Sequence, residues 1–320
     1  MFGKYNSQAP LFKYPQAITL SNGDIFIIHQ TGIELYDSNM TTKRSTIATL
    51  EEDEKVYNKS HLSKTTISKF KNEDNEYIIA LIQDKIFIFD NNGQKLYKSE
   101  NKIPELQGDY YTLVPIKKDA NSYYYIIGFI DSKLVLQLLL YKFTDETKKD
   151  NECIKSKSIN QTKIFDKGLS CQLMKHKTKN NVLICFYVVQ GYPTNFTFYM
   201  INPDTLDIIN DEEENASFLT TYSDHNIRGI KSATSDNKNV LICYYIPSSI
   251  GFCTTYSIDK NKFTEYKKYA DVCRDEFYGM TVNCYEEKRQ CAFCCTNNLG
   301  KIKSAFFEEN LELSSSFPIF

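Results

Sequence analysis

The chain has 320 residues, 42% of them hydrophobic and 24% charged, with a net charge of -2 at pH 7. That balance describes a globular protein, excludes a disordered chain, and argues against a general nucleic-acid binder, which would carry a basic surplus. No apolar run approaches the roughly 18 residues of a membrane helix, so no membrane insertion is expected within this chain.

Residues 1–16 lack the continuous apolar stretch of a secretory signal, which fits either a cytosolic protein or a piece of a longer one. The first apolar set, Ala17–Met40, has a turn at Ser21-Asn22-Gly23-Asp24 between two strand-like runs. Asn-Gly tolerates the positive φ angles of a tight hairpin. Thr66–Ser99 repeats the plan, with a second Asn-Gly turn at Asn92-Gly93, and a third set begins at Tyr111. The fourth and fifth sets agree most closely, with NNVLICFY at Asn180–Tyr187 and KNVLICYY at Lys238–Tyr245. A sixth runs from Phe277. The starts lie roughly 45 to 60 residues apart, a period seen in repeat architectures. No segment holds a helical apolar stripe over three turns.

Aligning the second strands puts Ile25, Tyr77, Tyr125, Val182, Val240 and Cys291 in one column. Three residues later stand Ile28, Ala80, Gly128, Cys185, Cys243 and Cys294, a mostly small set. The polar stretches Thr41–Lys64, Asp145–Asp166 and Asp211–Asn226 read as connections or exposed loops. The chain carries 23 Tyr, 21 Phe and no Trp, and its Lys, Asn, Ile and Tyr content matches the output of an AT-rich genome.

This layout resembles the β-propeller superfamily across nearly the whole chain. It resembles most the divergent Lys/Asn/Tyr-rich propellers of uncharacterised protist or fungal proteins. Trp-Asp pairs of WD40 blades, Gly-Gly doublets of kelch blades and sialidase Asp boxes are absent. The resemblance implies an all-β fold, a β-propeller of six blades with seven possible, each blade of four antiparallel strands. One domain over 1–320 is expected, with repeat units near 17–65, 66–110, 111–168, 169–226, 227–276 and 277–320. In such a fold the small column has a steric reason, because inner strands crowd toward a central channel.

All 10 cysteines lie from Cys153 onward. Three pairs sit symmetrically about expected hairpin turns: Cys171 with Cys185, Cys243 with Cys253, and Cys284 with Cys291. Opposed residues of an antiparallel pair are close enough to bridge, which favours an oxidising compartment. Two alternatives stand beside this. In one, Cys185, Cys243 and Cys294 simply fill the small-residue column; in the other, Cys284, Cys291, Cys294 and Cys295 are zinc ligands, against which Cys294 and Cys295 point to opposite faces of a strand.

Catalytic signatures are missing: no serine elbow, phosphate-binding loop or zinc helix occurs. His29, His61, His176 and His225 share no metal-ligand spacing. Asp37, Asp90 and Asp259 recur at strand ends and read as turn formers. The runs Glu51-Glu52-Asp53-Glu54 and Asp211-Glu212-Glu213-Glu214 could hold Ca²⁺ but read as solvated loop tips. The sequons at Asn39, Asn58, Asn160, Asn195 and Asn215 are no more than composition supplies, and they fall at expected loops. No catalytic, cofactor or metal residue is assigned. The expected function is a non-catalytic scaffold, a monomeric domain or part of a longer protein, that binds a protein or glycan partner through loops on one face. Exposed Tyr residues would supply the contacts, at an extracellular or cell-surface location, with the cytoplasm as the alternative. The alternative is a glycoside hydrolase-like propeller with carboxylates at its channel mouth.

Overall fold

The computed structural model describes residues 16–37, 42–56, 64–71, 75–100, 102–103, 105–117, 122–144, 151–159, 164–176, 181–189, 195–209, 218–219, 227, 229–234, 238–245, 251–263, 267–269, 277–285, 290–297 and 302–307. Every helix or strand among them is a strand, and the strands form six antiparallel sheets. The first holds β1 (Gln16–Thr19), β2 (Ile25–His29), β3 (Gly32–Tyr36) and β4 (Lys43–Thr49), in that order. The second holds β5 (Thr65–Lys71), β6 (Glu76–Ile82), β7 (Lys85–Asp90) and β8 (Lys95–Lys98). The third holds β9 (Gly108–Lys117), β10 (Ser122–Asp131), β11 (Leu136–Thr144) and β12 (Asn151–Ile159).

The fourth sheet is β13 (Ile164–Lys175), β14 (Asn181–Val189), β15 (Asn195–Ile201) and β16 (Phe218–Leu219). The fifth is β17 (Gly229–Thr234), β18 (Asn239–Tyr245) and β19 (Gly251–Ser257), whose outer edge carries two short pieces, β20 (Lys262–Phe263) and β21 (Lys267–Tyr269). The sixth shows three strands among the described residues: β22 (Phe277–Tyr285), β23 (Gln290–Asn297) and β24 (Ile302–Phe307).

The first strands of successive sheets touch in chain order, β1 to β5, β9, β13, β17 and β22, and β22 returns to touch β1. That contact closes the ring, so the sheets are six blades of a propeller. Gln16 begins β1 of the first blade; residues 11–15 lie outside the described residues.

Hydrophobic clusters fill the spaces between blades. One packs Phe26 and Ile28 of the first blade on Ile78, Ala80 and Ile82 of the second. The next packs Tyr77, Ile79 and Leu81 on Tyr123, Tyr125 and Ile127. Further clusters join the third blade to the fourth and the fourth to the fifth. A strand such as β6 is therefore buried on both faces along its whole length. This explains why the second strands read as continuous apolar runs rather than alternating ones.

The outer strands look different. β4 (KRSTIAT) and β12 (NECIKSKSI) are mostly exposed, being the rim of the disc. The polar stretches expected to be connections thus supply outer strands, and the third of them supplies β16. The second also contributes the start of β13, an innermost strand. Polarity hid these strands because an outer strand has little to bury.

The small-residue column does not share one face. Ile28 and Ala80 meet each other between the first two blades. A Cβ on Gly128 would lie 2.9 Å from Thr112 and 3.4 Å from Leu169 of the fourth blade, and Cys185 faces the same inter-blade space. The aligned residues therefore alternate between forward and backward faces. A one-residue offset in a period-two element turns every side chain over. Small side chains are used where blades approach, not because of the channel.

Turn chemistry follows the sequence. Gly23 and Gly93 adopt φ of 88° and 82°, in the two Asn-Gly turns. Asp90 Oδ1 accepts from the backbone N–H groups of Asn92 (3.0 Å) and Gln94 (2.7 Å), and Asp37 Oδ1 accepts from Thr42 N–H. Asp259 lies in the turn after β19. These aspartates shape backbone.

Candidate functional site

The ring of innermost strands encloses a central channel with a cavity of about 400 Å³, to which all six blades contribute. Its wall is polar but carries few charges. Thr66, Ser68, Thr112, Ser170, Ser232 and Thr234 bring hydroxyls, and Gln16 and Gln172 bring amides. Two ammonium groups line it, Lys69 on the second blade and Lys231 on the fifth. In a ring of six these blades stand opposite each other. No carboxylate lines the cavity among the described residues, so the paired acids expected of a glycoside hydrolase are not found there.

Several wall groups join neighbouring blades. Cys171 N–H donates to Thr112 Oγ1 at 3.0 Å, between the third and fourth blades. Ser170 and Ser232 share a hydrogen bond at 2.8 Å between the fourth and fifth, and Gln172 Nε2 donates to the Ser232 carbonyl at 2.8 Å. Lys69 Nζ donates to the Thr19 carbonyl at 2.9 Å and lies 3.4 Å from Glu76. Glu76 also accepts from the Ser21 N–H and hydroxyl, both at 2.8 Å. Lys69 is thus neutralised within the wall.

Lys231 has no hydrogen-bond or ion-pair partner among the described residues. It lines the channel, and burial holds its ammonium down, to about 8. Sequence reasoning did not single it out. A lone Lys in an otherwise ordinary strand, KSAT, carries no local signal of the ring that surrounds it.

The acidic run at 51–54 has a structural role. Carboxylate oxygens of Glu51, Asp53 and Glu54 lie within 4.8 Å of one another, a spacing that could suit a cation. Protein ammonium groups occupy that role instead. Lys85 Nζ sits 3.1 Å from both Asp53 and Glu54, and Lys98 Nζ sits 2.7 Å from Glu51 and 2.8 Å from Glu54. Burial alone would push the Glu54 carboxyl up, but Lys98, the Glu51 N–H and Lys85 outweigh it and hold it below the usual carboxylate range. Glu54, only 1% exposed, anchors the run, while Glu51, Glu52 and Asp53 stay exposed as a solvated tip would be. Residues 211–214 lie outside the described residues.

The remaining candidates divide similarly. His29 closes β2 beside Glu34, with Nε2 to Oε1 at 3.7 Å, and burial keeps its pKa below the ordinary value. His176 follows β13; His61 and His225 lie outside the described residues. Asn195 begins β15, flanked by Val189 and Leu219, rather than standing in a loop. The other four sequons lie outside the described residues. Tyr side chains also depart from expectation: Tyr77, Tyr111, Tyr123, Tyr125, Tyr141 and Tyr256 are among those buried between blades. In a chain without Trp, Tyr and Phe fill the inter-blade volume.

Among the described residues, three disulfides link directly opposed residues: Cys171–Cys185, Cys243–Cys253 and Cys284–Cys291. The last pair removes two of the four thiolates considered for zinc.

No protein-family model matches the chain, and no curated protein matches it. Solved structures do. AofleA from Arthrobotrys oligospora is 10% identical, with a TM-score of 0.59 over 98% of this chain and 90% of that one. The lectin of Aleuria aurantia, described as a six-bladed β-propeller with a novel mode of fucose recognition, is 8% identical, with a TM-score of 0.57 over 97% of this chain and 96% of that one. The BP39L lectin of Burkholderia pseudomallei is 9% identical, with a TM-score of 0.53 over 93% and 80%. Ring closure and these similarities together make the chain a divergent six-bladed β-propeller.

Proposed function

We propose that this propeller is a non-catalytic glycan-binding scaffold working outside the cell or at its surface. The observation that carries the reading is closure of six blades in an architecture similar over nearly the full length of both chains to a fucose-recognising lectin. Three disulfides support an oxidising compartment, where glycans are accessible partners. Blades locked by inter-blade cores give loops a rigid base, which lowers the ordering cost of binding. A channel wall without carboxylates among the described residues favours binding over hydrolysis.

The purified 320-residue chain should bind a defined subset of an immobilised glycan array and release no sugar on prolonged incubation. Binding to a protein partner with a blank array would overturn the glycan assignment. Release of free sugar would overturn the non-catalytic one.

A further inference from the structure

We infer that the central channel is a binding site for one small oxyanion, held by the Lys231 ammonium and the hydroxyl groups of the innermost strands. The first reason is charge. Of the two lysines lining the cavity, Lys69 is matched by Glu76, whereas Lys231 has no partner among the described residues. The two strands on its other sides, β18 and β22, offer none by chemistry. Its register partner on β18 is Cys243, tied up in a disulfide, and β22, packed against β17 on that side, has no Asp or Glu between Phe277 and Tyr285. A desolvated ammonium without a counter-charge is costly, and an anion offsets that cost.

The second reason is the donor set. Thr112 Oγ1 accepts from Cys171 N–H, which leaves its own hydrogen to donate. Ser170 Oγ accepts from Ser232 N–H, and the two serine hydroxyls share one further bond, so that pair also retains one hydrogen. Thr66 on the second blade lines the same cavity. Hydroxyl donors and an ammonium lining one cavity suit a sulfate, phosphate or carboxylate, which accept several hydrogen bonds at once. The cavity of about 400 Å³ has room for such a group alone or as part of an acidic sugar.

This site does not depend on the glycan reading, and its test does not use a glycan array. Calorimetric titration of the whole chain with sodium sulfate near neutral pH, against a sodium chloride blank, should give saturable one-to-one binding. Lys231→Met should weaken it by at least about tenfold and Lys231→Arg should retain it, because the charge and its hydrogen bonds carry the affinity. A parallel titration with glucuronate separates the sources: tighter binding than sulfate identifies an acidic sugar, and equal or weaker binding identifies a free inorganic anion.

A second readout uses only the wild-type protein. With lysines reductively ¹³C-methylated, the Lys231 signal should titrate near 8 and move upward on adding sulfate, since the anion favours the charged form. No saturable binding, equal binding by the Met variant, or an unmoved Lys231 titration would overturn the site.

Discussion

The first three blades and the last three are held together by different chemistry. Among the described residues, the buried ion pairs lie in the first half. Glu54, from the connection between the first and second blades, meets Lys85 and Lys98; Glu76 meets Lys69 and Ser21; Asp84 accepts from the Tyr111 hydroxyl and lies 3.7 Å from Lys64. In the second half each blade carries a cross-strand disulfide, and the polar contact between the fourth and fifth blades is a neutral serine pair. Cys153, in the third blade, is a free thiol opposite Tyr141. Similar blade geometry is thus secured by charge in one half and by covalent bonds in the other. The two halves should respond to different insults.

Reduction should have the largest effect. Closing loops with sequence separations of 14, 10 and 7 residues stabilises by about 2.5–3 kcal/mol each on chain-entropy grounds, together about 8 kcal/mol. That is comparable to the whole stability of a typical domain. Under a thiol reductant, amide hydrogen exchange should accelerate first in β13–β24 and spare β1–β8. Uniform acceleration would erase the contrast between the halves.

Glu54→Gln should follow, costing about 2–3 kcal/mol, because it removes the buried carboxylate shared by Lys85 and Lys98 and leaves them only the exposed Asp53 and Glu51. The loss should appear in chemical denaturation to the same extent with or without reductant. Acid acts on the same site. Glu54 and Glu34 are held below the ordinary carboxylate value of 4.5, so their contribution is full above that pH and is lost as pH falls through the lower folded values. His29, whose folded value is lowered from 6.5, adds a loss of the same sign beginning below that pH. Acid should therefore loosen the first half before the second, which exchange measured at falling pH would show.

The smallest effect expected is from Ser170→Ala, about 1–2 kcal/mol. It leaves the buried Ser232 N–H and hydroxyl short of a partner. Its unfolding transition should shift less than that of Glu54→Gln; a larger shift would mean that the serine pair, and not the disulfides, dominates the second half.

The fold was legible where burial writes a signal. Second strands such as β6 and β14 are covered on both faces, so their residues form the apolar runs from which six repeats can be read. The Asn-Gly turns and the three cysteine pairs were equally visible, because hairpin symmetry fixes who faces whom. The outer strands were not, since β4 and β12 face solvent and look like loops. The channel was the least legible part. Lys69 and Lys231 are 162 positions apart in sequence, and only ring closure brings them to opposite walls of one cavity. Several tyrosines among the described residues are core, Tyr77, Tyr123 and Tyr125 among them, because nothing in their local sequence distinguishes an inter-blade position from a rim.

Mass-spectrometric mapping of the non-reduced chain tests the account most directly, since the contrast between the halves and the extracellular reading both rest on bonded cysteines. The predicted result is three linked peptides joining Cys171 to Cys185, Cys243 to Cys253 and Cys284 to Cys291, with Cys153 recovered as a free thiol. Recovery of those six cysteines as free thiols, or in other pairings, would contradict it.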